Sequence, residues 1–61
     1  MKGTIKFYNK ERGFGFIMHN NKDIFFHVSG LIDKDIEQGD LVEFLITEGR
    51  KGVQAVNVER I

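Results

Sequence analysis

An all-β chain closed on itself as a small barrel is the fold class this sequence predicts. Three observations point there. The chain has 61 residues, room for one domain. Five runs rich in Val, Ile, Phe and Thr recur along it, and helical periodicity is hard to find. Short clusters of Gly, Asn and charged residues separate those runs and read as turns. No helix is left to cover an open sheet, so closure supplies both the core and the protection of the edges.

The runs follow in order. Lys2–Asn9 reads KGTIKFYN, with β-branched and aromatic residues, and the turn Asn9–Gly13 follows it. Gly13–Met18 reads GFGFIM and ends at the turn His19–Lys22. Asp23–Val28 reads DIFFHV. The stretch Ser29–Gly39 is the longest connection, and Ser29 suits the cap of a short helical turn. Leu41–Thr47 reads LVEFLIT, and Val53–Ile61 reads VQAVNVERI after the turn Glu48–Gly52. Two small barrels fit this pattern, an oligonucleotide-binding-type barrel and an SH3-like one.

Composition removes several classes of function. Without cysteine there is no disulfide framework, zinc ribbon or thiol nucleophile. A chain this short buries only about 60% of its unfolded surface, which disfavours a large internal active site. The N-terminus lacks a secretory apolar run, and no stretch approaches a membrane span. A cytoplasmic domain without membrane contact is the expectation.

Charge is segregated although the net is zero. Residues 1–22 hold five bases against Glu11, a net of +4. Residues 23–48 hold seven acids against Lys34, a net of −6, and residues 49–61 return +2 through Arg50, Lys51 and Arg60 against Glu59. Folding can bring the basic first and last segments onto one face, the footprint of a nucleic-acid binder; chance segregation on a solvated surface is the bland alternative.

Alternation then sorts the faces. Val42, Phe44 and Ile46 share a core face, as do Val56 and Val58. The second and third runs are apolar on both sides, yet only one side can line so small a barrel. The aliphatic side is the better core, with Ile17, Ile24 and Phe26 inside. Phe14, Phe16, Phe25 and His27 are then left outside, an assignment that suits an imidazole. Gly15 weakens a strand and implies close packing on its inner side. Six of the seven aromatic residues fall between Phe7 and Phe26. Exposed aromatic clusters are costly, and rings beside Lys6, Arg12 and Lys22 suit bases and phosphates. The competing reading places these phenylalanines in a second layer under the Ser29–Gly39 connection.

RGFGFI (Arg12–Ile17) followed by DIFFHV (Asp23–Val28) resembles the paired motifs of the cold-shock domain, typically KGFGFI and DVFVHF. KFYN (Lys6–Asn9) is similar to that family's KWFN, and GVQAVNV (Gly52–Val58) to its GPQAANV. The resemblance runs through nearly the whole chain and implies a five-stranded antiparallel OB-fold barrel. It also implies binding of single-stranded RNA and DNA, with an RNA-chaperone role or cold-shock-type regulation of transcription or translation. Carried over by position, Phe14, Phe16, Phe25 and His27 match its base-stacking residues. Lys6, Tyr8, Arg12 and Asp23 match contact positions, and Phe7 stands at its tryptophan. Arg50 and Lys51 are added from the last basic turn. Departures from the pattern reduce the expected face: Val28 replaces a stacking phenylalanine, and Ile36 stands in a shortened connection that usually carries an aromatic.

Rival functions are weaker. A small-barrel peptide- or protein-interaction module is the alternative, because aromatic patches also dock proline-rich segments. An enzyme is not expected: His27, Ser29 and Asp23 lie near one another in sequence, but nothing orients a base against a nucleophile. No cofactor, metal or small-molecule substrate is expected. His19 and His27 lack companion ligands, and Asp33, Asp35, Glu37 and Asp40 lack the spacing of an ordered calcium loop. A monomer is expected, with strand exchange into a dimer as the alternative.

Overall fold

In a computed structural model, which describes residues 1–49 and 52–61, the five runs become five strands. β1 spans Lys2–Asn9, β2 Phe14–His19, β3 Lys22–His27, β4 Leu41–Gly49 and β5 Gly52–Arg60. The sheet closes in the order β1-β2-β3-β5-β4. Neighbours are antiparallel except at the β3–β5 seam, which is parallel and pairs Phe25 with Gln54 and Phe26 with Ala55. A ring with an odd number of strands cannot alternate direction all the way round, so one parallel seam is geometrically required.

The interior is filled as alternation predicts along β2, β3 and β4. Ile17, Ile24, Phe26, Val42 and Phe44 are buried, together with Ile5. Each such side chain contributes roughly 1.5–3 kcal/mol of apolar burial. Gly15 makes this core possible. A Cβ there would collide with the Phe7 carbonyl oxygen and with the Phe26 ring.

Two bulges break the alternation. In β1, Ile5 pairs with Ile17 but Phe7 pairs with Phe16, so Lys6 is an extra residue. Ile5 therefore points inward, and Lys6 and Phe7 both point out. In β5, Asn57 and Val58 together oppose Phe44, and Asn57 has φ of 53°. Ala55 and Val58 are buried in consequence, and Val56, expected beside Val58 in the core, is only half-buried.

The β2–β3 hairpin turns on Asn20 and Asn21, both at positive φ, the geometry that matches strand twist. After β3 the chain makes one 3₁₀ turn, Val28–Gly30. His27 rather than Ser29 caps it, accepting the Ser29 amide at its side chain. The following stretch crosses a barrel end and buries Leu31 and Ile36 in the core. Ile36 is thus a core plug and not a surface residue. The acids beside it build turns: Asp33 accepts the Asp35 amide, and Asp40 accepts the Glu37 amide. Arg60 lies against Asp33 and Asp40 at 3.7 and 3.6 Å. This basic residue of the last segment holds the connection and does not join the basic first segment. Among the described residues, no helix is long and apolar enough to cross a membrane.

Candidate nucleic-acid interface

The outer face of β1, β2 and β3 is arranged in cross-strand rows. Phe7, Phe16 and Phe25 form one continuous row, which Gln54 of β5 extends. Asn9, Phe14 and His27 form the next. Thr4, Met18 and Asp23 form the row on the other side. The Lys6 bulge is what brings Phe7 into the phenylalanine row, since strict alternation from Ile5 would have sent its ring inside.

Phe14 joins the four rings into one cluster. Phe14 sits 5.9 Å from Phe7, 6.2 Å from Phe16 and 6.1 Å from Phe25, between ring centroids. Phe16 and Phe25 are 6.0 Å apart and nearly edge-on. These separations lie in the range where aromatic pairs attract, so the rings are held as a surface and not as loose side chains. Phe7 remains 41% exposed, while Phe14, Phe16 and Phe25 are half-buried, each against its neighbours. The competing second layer does not form, because Leu31 and Ile36 of the long connection enter the barrel core and Ile32 stays exposed.

Polar groups border the rings. Lys6 donates to both carboxylate oxygens of Asp23, at 3.2 and 3.0 Å, across the end of the row. Both side chains are about half exposed, so the pair is worth little to stability and can exchange partners. Arg12 is exposed in the turn before β2, where its amide donates to Asn9. His27 is exposed beside Phe14, and its Nδ1 is held by Ser29.

Other sequence-chosen residues lie elsewhere. Tyr8 faces inward opposite Gly15 and packs on Phe26 at 5.4 Å, with the Lys10 ammonium 6.0 Å from its ring. Val28 turns toward the core, leaving no platform at that position. Arg50 and Lys51 lie outside the described residues. Gln54 was missed by sequence reasoning, because its place beside Phe25 depends on the parallel seam, which no local pattern announces.

Asp23, His27 and Ser29 do not come together as one constellation, although His27 and Ser29 are neighbours. Asp23 is engaged by Lys6, and it lies two rows from His27. Among the described residues, no three His, Asp or Glu side chains are grouped to hold a metal ion.

Comparisons with known proteins agree with this architecture. The 'Cold-shock' DNA-binding domain family matches residues 1–61. The chain is 45% identical to the Cold shock-like protein CspB of Bacillus cereus, over all of both chains. It is 42% identical to the Cold shock protein CspA of Staphylococcus aureus (strain USA300), over 98% of this chain and 97% of that one. Among solved structures, drosophila Unr CSD456 superimposes with a TM-score of 0.78 at 28% identity, over 98% of this chain and 26% of that one. The closed five-stranded barrel, the ring-bearing outer face and the full-length family match together place this chain in the cold-shock domain family of nucleic-acid-binding proteins.

Proposed function

We propose that this domain binds single-stranded RNA and DNA with low sequence specificity by stacking bases on Phe7, Phe14, Phe16 and Phe25. The observation that carries the reading is the unbroken row Phe7–Phe16–Phe25 on the outer face, with Phe14 and His27 beside it. Each stacked base contributes roughly 1–3 kcal/mol, so four platforms supply a gross term on the order of 4–12 kcal/mol before ordering costs. Bases in a duplex cannot reach the rings, so unpaired strands are preferred. Lys6 and Arg12 neutralise phosphates. With few such contacts the salt dependence is shallow, with a slope of about −0.7 for each single-strand phosphate neutralised. Holding unpaired strands without cleaving them loosens RNA hairpins, the action of an RNA chaperone and a route to regulating transcription or translation.

The test is a fluorescently labelled oligothymidine titrated with wild type and with Phe14→Ala, Phe16→Ala and Phe25→Ala. Each substitution is expected to weaken binding about fivefold or more. Equal affinity across the four proteins would sink the proposal.

A further inference from the structure

His27 has a fixed orientation that the aromatic surface alone does not require. The Ser29 backbone amide donates to His27 Nδ1 at 3.1 Å, and the Ser29 hydroxyl oxygen lies 2.9 Å from the same nitrogen. A backbone amide is only ever a donor, so Nδ1 must present its lone pair. A neutral imidazole carries one proton, which therefore sits on Nε2. The 3₁₀ turn thus does for this histidine what an orienting partner does for a metal-bound one: it selects the tautomer through the opposite ring nitrogen.

The consequence is a directed donor at the edge of the stacking surface. His27 is exposed and lies opposite Phe14, two residues beyond Phe25 on β3. We infer that His27 is a hydrogen-bond-donating specificity residue whose outward Nε2–H takes an acceptor atom of the bound strand, with Ser29 as its positioning residue. This rests on the stacking reading above and adds a polar selection that stacking lacks. A ring stacks on any base face, whereas an Nε2–H donates only to an oxygen or an unprotonated ring nitrogen and is opposed by an amino group. Two parts of a strand offer such an acceptor, a base edge and a phosphodiester oxygen.

Imidazole nitrogen spectra of the free protein at pH about 8, where an ordinary histidine is neutral, test the tautomer. The inference expects a protonated Nε2 and a bare Nδ1; a proton on Nδ1 overturns it. His27→Phe keeps a stackable ring and removes the donor. It should weaken oligothymidine binding about three- to tenfold, the worth of one neutral hydrogen bond, and unchanged affinity overturns the inference. If that variant does not fold, the Nε2–H resonance of wild type decides: it must shift when oligothymidine is added, and an unmoved resonance overturns the contact. An abasic strand of equal length separates the two acceptors. A His27→Phe penalty that persists on it assigns a phosphodiester oxygen, and one that vanishes assigns a base. Phe16→Ala distinguishes the two levels of the argument, since full affinity in that variant defeats stacking whatever the tautomer of His27.

Discussion

The two outer faces of this barrel follow the same pleat and end with opposite surfaces. On β1–β3 the exposed apolar side chains are aromatic, four phenyl rings joined in one cluster through Phe14. On β4–β5 the exposed apolar residues are aliphatic and interrupted by charge: Glu43 stands between Leu41 and Leu45 along β4 and faces Glu59 across the ladder, while Leu45 lies opposite half-buried Val56 and shares a shallow concavity with Met1 and Ile32. Exposed aliphatic side chains are ordinary on any protein surface, whereas a connected cluster of exposed rings is the kind of patch that calls for a partner. The clustering of rings, and not the amount of exposed apolar side chain, distinguishes the face proposed to bind a strand. Each face can be perturbed separately.

The largest effect is expected at Gly15→Ala, beneath the aromatic face. The added methyl meets a backbone carbonyl that cannot move away cheaply. A loss of about 3 kcal/mol or more, read from the denaturant midpoint, is expected, and this is enough to unfold a domain of marginal stability. A wild-type midpoint would show that the core does not depend on this close approach.

Next in size is the matched pair Phe16→Ala and Leu45→Ala, one on each face. The first should weaken oligothymidine binding by roughly 1–3 kcal/mol, and the second should leave it unchanged. Equal losses would erase the distinction between the faces.

Much of this contrast was legible in the sequence, for reasons tied to particular residues. In β2 and β3 the aliphatic side, Ile17 and Ile24, could be set against the phenyl side, and Gly15 and His27 broke the tie. Where the backbone departs from period two, the reading lost its footing. The extra residue at Lys6 turns Phe7 outward, and strict alternation alone would have hidden that ring with Ile5. The extra residue at Asn57 buries Ala55 where Val56 was expected. The burial of Ile36 was not legible, because a connection has no periodicity to reveal which residue enters the core. The ion pairs of Arg60 were equally invisible, since they join residues far apart in the chain.

A smaller effect sharpens the role of the polar border. Lys6→Gln removes an exposed ion pair, so stability should change by less than about 1 kcal/mol. The salt slope of oligonucleotide binding should become shallower by about 0.7, one phosphate contact. An unchanged slope would mean that Lys6 stays with Asp23 when the strand is bound.

The smallest effect is expected on the opposite face. Glu59→Lys replaces a like-charged cross-strand pair with an opposite-charged one and should raise stability by roughly 0.2–1 kcal/mol. Thermal unfolding at low salt measures it, and a fall in melting temperature would contradict the pairing of Glu43 with Glu59.

A backbone and side-chain chemical-shift map with a short oligothymidine separates the two faces in one experiment. The largest changes are expected to cluster at Phe7, Phe14, Phe16, Phe25 and His27, with Glu43, Leu45 and Glu59 unmoved. Changes centred on Glu43, Leu45 and Glu59 would contradict binding on the aromatic face.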